Sequence, residues 1–316
     1  MKTIGTTPGG HPVKEIELAA GALRVSILTY GAILRSVRLR GVDHNLTHVP
    51  GDLSSWTEGK TPYHGALVAP VANRFTGAQA TLDGQDIQFE ANQTGLHLLH
   101  SGKAGTHARL WDVLERQADA VTLVTHLPDG EGGFPGNRRI TARFSVRAPA
   151  SLRLEIEAET DALTFMNATN HSYWSLDGGP DWSGHSLKIA ADHFLPTDDT
   201  FAPTGEISPV DGDMDFREGR ALVPGNPPLD HNFCLSSGRT ELRDVLWLTG
   251  RNGLTLTLAT TEAGMQVYDG RHAGYPALAL EAQGWPDAPN HAGFPSIELR
   301  PGEAYRAVTE WRFARG

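Results

Sequence analysis

Cysteine is nearly absent: Cys234 is the single one among 316 residues. One thiol closes no internal disulfide and supplies no thiolate zinc site, so the chain is expected to rely on its apolar core. Positive charge is short as well, with 27 Lys and Arg against 37 Asp and Glu, a formal net charge of −10. That balance argues against nucleic acid and anionic membrane surfaces, which need a net basic face. No run approaches the ~18 apolar residues of a membrane-spanning helix. Met1 to Gly10 has no apolar stretch after Lys2, so no secretory leader is expected. The Asn-x-Ser/Thr sequons at Asn45, Asn92, Asn167 and Asn170 then read as coincidental. The expectation is an acidic, cytoplasmic, globular protein.

Helical periodicity is missing too. No window of about 12 residues keeps apolar residues at helical spacing without a Gly or Pro break. The short candidates are Gly51 to Glu58 and a turn near Leu242 to Leu246. Gly (35) and Pro (20) are instead abundant, and turn pairs recur at Asp83-Gly84, Asp129-Gly130, Asn252-Gly253 and Asp269-Gly270. Between them apolar residues alternate with polar ones. Leu152, Leu154, Ile156 and Ala158 are interleaved with Arg153, Glu155, Glu157 and Glu159, the pattern of a strand with one face in the core. Ile140–Arg147, Val121–Val124 and Leu254–Leu258 repeat it. Leu23–Leu28 and Ile33–Leu39 flank a bend at Thr29–Ala32. The stretch from Asp177 to Asn232 is rich in Pro and Gly yet carries Trp182, Phe194, Phe201 and Phe216, so it reads as ordered loops and not a linker. Residues 1–316 are expected to form one all-β domain, a large antiparallel sandwich with few short helices.

The motifs of nucleotide, metalloprotease and serine-hydrolase sites are lacking. His97 and His100, three apart, would fall on opposite faces of a strand, a poor metal pair; one of them is expected to face a pocket. What remains is polar residues set among aromatics: Ala72-Asn73-Arg74-Phe75, Leu99-His100-Ser101-Gly102, Thr169-Asn170-His171-Ser172-Tyr173-Trp174, Leu229-Asp230-His231-Asn232-Phe233 and Leu280-Glu281-Ala282-Gln283-Gly284-Trp285-Pro286-Asp287. Fixed donors and acceptors beside aromatic faces suit a sugar, whose hydroxyls need partners and whose C–H faces pack on rings.

In this order the five segments resemble the aldose 1-epimerases (galactose mutarotases). Pro203-Thr204-Gly205-Glu206-Ile207, Gly132-Gly133-Phe134-Pro135-Gly136-Asn137 and the stretch from Phe294-Pro295 to Tyr305 are similar to that family as well. The resemblance runs from about Tyr30 to Phe313. It implies a galactose mutarotase-like supersandwich, a free monosaccharide such as galactose or glucose as substrate, and no cofactor or metal. It implies Glu281 as catalytic base and His171 as catalytic acid. Arg74, His100 and Asp230 would bind substrate, with Asn73, Gln283 and Tyr268 as further pocket residues. His97 competes with His100 for its place. Ser101 departs from the family's usual Leu-His-Gly-Gly. Asp287 reads as a turn residue.

Opening a hemiacetal removes a proton from the C1 hydroxyl and delivers one to the ring oxygen. The scheme implied by the resemblance starts with His171 as imidazolium and Glu281 as carboxylate, with pKa values bracketing the working pH. Three other readings stay open: a non-catalytic carbohydrate-binding protein, a glycoside hydrolase with paired carboxylates, and a hexose-phosphate 1-epimerase drawing charge from Arg109, Arg138 or Arg139. The sequence leaves the preferred aldose open, and the choice between monomer and homodimer.

Overall fold

The computed structural model describes residues 1–49 and 51–315. Its largest element is a nine-stranded antiparallel sheet. In spatial order its strands are Asp112–Arg116, Ala120–Leu127, Arg138–Arg147, Ser151–Thr160, Tyr305–Arg315, Leu254–Thr260, Arg243–Thr249, Ser186–Ile189 and Arg220–Ala221. Alternation decides which face is buried. Leu152, Leu154, Ile156 and Ala158 enter the core, while Arg153 and Glu155 stay on the other face. There they join a charge ladder, Arg153 with Glu155 at 3.1 Å and with Glu310 at 3.9 Å.

A four-stranded sheet, Lys2–Thr6, Pro12–Ala20, Leu23–Leu28 and Leu34–Leu39, covers one end of the same core. The expected bend at Thr29–Ala32 is present and needs Gly31. At φ +64° an added Cβ there would lie 2.5 Å from the His107 carbonyl oxygen, so no other residue fits. The helix expected over Gly51 to Glu58 is a single turn, Leu53–Thr57, with Asp52 accepting from the Ser54 N–H at 3.0 Å.

The second helical candidate is corrected. Leu242 to Leu246 holds no helix, because Arg243–Thr249 is a strand that pairs with Leu254–Thr260 across Asn252-Gly253. Its buried residues Val245, Leu246 and Leu248 serve the sheet core. A register shift between Asp244 and Leu246 breaks the period-2 signal there and leaves a helix-like spacing in the sequence.

A six-stranded sheet packs against the large one. Its order is Tyr173–Trp174, Leu278–Gln283, Gly264–Tyr268, Asp230–Cys234, His193–Leu195 and Ser208–Pro209. Asp177 to Asn232 therefore contributes short strands to both sheets and buries Trp182 and Phe216. Trp174 stacks near Trp311 and Phe313 of the large sheet, at 5.8 and 5.7 Å between ring centroids. Strand alternation then turns Tyr173 to the opposite face. Leu278, Leu280 and Ala282 likewise face the shared core, which turns Glu281 away from it. Among the described residues no helix is long and apolar enough to cross a membrane.

Leu256 is fully buried mid-strand beside Tyr305–Arg315. Leu256→Ala is expected to lower unfolding free energy by about 2–5 kcal/mol, read by urea denaturation. A loss below about 1 kcal/mol would contradict the packing described, since it falls under the range for a buried leucine.

Candidate active site

Local backbone constraints bring the polar segments together. Arg74–Phe75 pairs with Leu98–Leu99, placing Arg74 opposite Leu99 and next to His100. Asn73, His100 and Ser101 hold φ of 61°, 49° and 62°, the left-handed region that non-glycine residues rarely occupy. Their side chains and amides interlock. The Asn73 N–H donates to His100 Nδ1 (3.1 Å), the His100 N–H returns a bond to the Asn73 carbonyl (2.8 Å), and the Arg74 N–H donates to Asn73 Oδ1 (2.9 Å). Ser101, the departure from the family pattern, replaces glycine's conformational freedom with bonds. Its hydroxyl donates to the Val71 carbonyl at 2.9 Å and accepts from the Val71 N–H at 2.8 Å.

The guanidinium of Arg74 is fixed on three sides: Nε donates to Gln93 (2.8 Å), one terminal nitrogen to Asn73 (3.3 Å), and the other lies 3.5 Å from Asp230. Asp230 is held by Gln266 too, whose amide donates to it at 2.7 Å. His171 follows the Thr169–Asn170 bridge strand, its own N–H donating to Ala66 at 2.9 Å. Its ring stacks with those of Tyr63 (5.9 Å) and Tyr173 (5.1 Å). Glu281 comes from the middle of the six-stranded sheet, opposite Gln266.

These side chains converge on a cavity of about 250 Å³ lined by Asn73, Arg74, His100, His171, Asp230, Tyr268 and Glu281, with further aromatic walls. That is below the ~300–1,000 Å³ of drug-sized ligand sites and suits a monosaccharide. A wider groove of about 670 Å³ lies over the N-terminal sheet, lined among others by Glu17, Arg24, Arg38 and Arg116. Those four side chains are exposed, and none of the buried groups described above opens into the groove, so the smaller cavity is the candidate site.

At its centre His171 Nε2 lies 3.4 Å from Glu281 Oε1. The residues are 4% and 2% exposed. His171 Nδ1 and Glu281 Oε2 have no partner in the protein. Burial first, then the neighbouring His64, lowers His171 to about 3. Burial, then the charge of Asp230, raises Glu281 to about 8 against a pull from Arg74. Burial also drives His100 well below its ordinary value. Both shifts run against the imidazolium–carboxylate pair expected from the sequence. Burial disfavours the ionised form of both groups and so favours neutral imidazole beside carboxylic acid.

His100, His171 and Glu281 each bring a ligand atom within 4.8 Å of the others, the spacing of a metal site. The donor set does not fit one. A ligating imidazole donates its second N–H to an acceptor, whereas His100 Nδ1 accepts from Asn73. Its Nε2 therefore carries the proton and is a donor only.

Gln283 is the expected pocket residue that the structure moves elsewhere. It is fully buried, lies outside the cavity lining, and its amide has no partner. It sits two residues along the strand from Glu281, so the shared motif located it but not its distance from the cavity. His97 also lies outside the lining, accepting from Gly77 N–H at 3.2 Å and contacting Thr200 at 2.9 Å. Asp287 occupies a left-handed turn and accepts from the Thr76 N–H at 3.0 Å, in keeping with the turn role read from the sequence. Sequence reasoning missed Tyr63, Gln93, Phe201 and His272 in the lining, and Gln266 behind it. Tyr173, visible within its motif, lines the cavity as well.

The family model described as Aldose 1-epimerase matches residues 14–312. The chain belongs to the aldose 1-epimerase family. It is 32% identical to the galactose mutarotase of Rattus norvegicus, over 97% of this chain and 95% of that protein. It is 29% identical to the aldose 1-epimerase of Escherichia coli K12, over 99% and 98%. Among solved structures, the aldose epimerase homologue from C. elegans superposes with a TM-score of 0.89 at 27% identity, covering 96% of this chain and 99% of that one. The sandwich expected of an aldose 1-epimerase is thus the fold observed.

The raised pKa of Glu281 has a stability consequence in this member of the family. An unfolded chain ionises this carboxyl above about 4.5, whereas the folded protein keeps its proton until about 8. Between those values the native state binds more protons, so the carboxyl's contribution falls as pH rises. Glu281→Gln is expected to raise the thermal midpoint more at pH 8 than at pH 5. Equal shifts at both values, in differential scanning fluorimetry, would contradict the burial effect.

Proposed function

We propose that this protein is an aldose 1-epimerase, interconverting the α and β anomers of a free aldose, with Glu281 and His171 exchanging protons with the sugar. The observation that carries the reading is the 3.4 Å contact between these two groups inside a monosaccharide-sized cavity. The C1 hydroxyl and the ring oxygen are bonded to the same carbon, so two proton partners in one small cavity can reach both.

The resting proton lies on Glu281. Passing it to His171 changes no net charge but creates two ions in a buried site. A bound hemiacetal offsets that separation: its C1 hydroxyl donates to the carboxylate and its ring oxygen accepts from the imidazolium. Glu281 then takes the C1 proton as His171 protonates the ring oxygen. The C1–O5 bond breaks, its electron pair stays on O5, and a C1 carbonyl forms. After rotation about C1–C2 the C5 hydroxyl attacks the other carbonyl face. His171 removes its proton while Glu281 returns one to the C1 oxygen, and the pair is restored. No electron leaves the sugar and no group is transferred. His100, held as an Nε2–H donor, and the Arg74–Asp230 pair anchor the remaining hydroxyls.

The competing readings meet specific obstacles. For a hydrolase, the second carboxylate lining the cavity is Asp230, already engaged by Arg74 and Gln266. For a sugar phosphate, Arg74 is the one guanidinium among the described lining residues, and it is paired. Arg109 is paired with Glu131, Arg138 donates to the Pro128 carbonyl, and Arg139 lies outside the lining.

The test is polarimetry with purified α-anomers of glucose, galactose, xylose and arabinose. Wild type should accelerate mutarotation of at least one. Glu281→Gln should lose about 10²–10⁴-fold in rate while still binding sugar. A variant rate near wild type would remove Glu281 from the reaction, and sugar binding without any wild-type acceleration would favour a non-catalytic binding protein.

A further inference from the structure

Among the aromatic rings lining the cavity, Phe201 alone carries no polar atom, and its conformation is the least expected. It sits at φ +64°, a genuine outlier for a bulky side chain. Its ring is half-buried and belongs to none of the protein's apolar clusters. No apolar cluster gains from an aromatic here, where the guanidiniums of Arg74 and Arg271 lie over the ring, and glycine would hold the same backbone without strain. Strain that the surroundings enforce without a packing return is characteristic of binding sites.

The surroundings do enforce it. Phe201 lies at the tip of a loop between His193–Leu195 and Ser208–Pro209, closed at its base by a bridge between Thr197 and Pro203. Asp198 locks the tip: its carboxylate accepts from the N–H of Thr200 (2.7 Å) and of Ala202 (3.1 Å), and its carbonyl accepts from Phe201 N–H (3.0 Å). A tie from outside completes the clamp. His97 Nδ1 accepts from Gly77, so its Nε2 carries a proton and donates to the Thr200 hydroxyl at 2.9 Å. The guanidiniums of Arg74 and Arg271 lie 5.8 and 5.9 Å from the centre of the ring. The ring is thus fixed at the cavity wall beside the residue that grips Asp230.

We infer that Phe201 is the platform on which the C–H face of the bound pyranose packs, making it the residue that sets sugar affinity. The electron-rich ring face meets the weakly positive C–H hydrogens of a pyranose, while the hydroxyls turn to Arg74, Asp230 and His100. Phe201 touches neither the C1 hydroxyl nor the ring oxygen, so its contribution falls on binding and not on proton transfer. The inference rests on the reading that this cavity holds a free aldose.

Two variants and two readouts test it. Phe201→Ala should raise KM for mutarotation about tenfold, the loss expected for an aromatic packing contact, with kcat within about twofold of wild type. Phe201→Trp should keep a wild-type KM. Phe201→Gly should raise KM equally while its thermal midpoint stays at or above wild type, because the left-handed strain is gone. Saturation-transfer NMR with galactose or glucose should show strong transfer to sugar C–H protons that Phe201→Ala removes. An unchanged KM and an unchanged transfer pattern in Phe201→Ala would overturn the inference even where mutarotation is fast. If wild type accelerates no aldose yet the transfer still depends on Phe201, the epimerase reading falls and the platform stands.

Discussion

Two groups that water would readily ionise lie buried against each other, and most of the site's construction follows from that placement. Glu281 arrives on a strand whose other face belongs to the core, and His171 directly after a two-residue strand, its ring stacked with those of Tyr63 and Tyr173. Away from bulk water an isolated carboxylate or imidazolium is costly, while a neutral pair sharing one proton is less so. The pair is therefore poised: one proton, two sites, and an energy difference that the hydroxyl and ring oxygen of a hemiacetal can tip. Side chains nearer solvent would hold their ordinary pKa values, and a pair spread further apart could not reach two oxygens on one carbon.

The surroundings serve this pair by removing freedom. Asn73, His100 and Ser101 occupy strained left-handed backbone so that one imidazole presents a fixed donor and one guanidinium a fixed fork. Asp230 is held from two sides. Such interlocking lets sugar binding order few protein groups, which keeps its entropic cost low. It also explains why the metal-like spacing of His100, His171 and Glu281 is not a metal site: the bond that fixes His100 also fixes its proton on the wrong nitrogen.

Much of this was legible in the sequence, for definable reasons. Period-2 alternation marked the strands of the large sheet, because each buries one face. The cavity's polar residues stood out because the segments carrying them are dense in aromatics and match a family pattern, and seven of the eight named residues line the cavity. Gln283 did not, because adjacency on a strand says nothing of how far a pocket extends along it. Arg243–Thr249 was obscured by its bulge. The protonation state was out of reach, since it depends on burial that no local pattern encodes. Phe201 and Tyr63 were missed for a similar reason: neither is a polar residue of the quoted site segments, although Phe201 lies two residues before Pro203-Thr204-Gly205, and only the folded chain brings them to the wall.

The measurement closest to the core of the account is an NMR titration of the unliganded protein, following the 13C-carboxyl resonance of Glu281 and the ring nitrogens of His171. The account predicts a protonated carboxyl and a neutral imidazole throughout the neutral range, with the carboxyl losing its proton near pH 8. A carboxyl that titrates near its ordinary 4.5, facing an imidazolium at neutral pH, would contradict it.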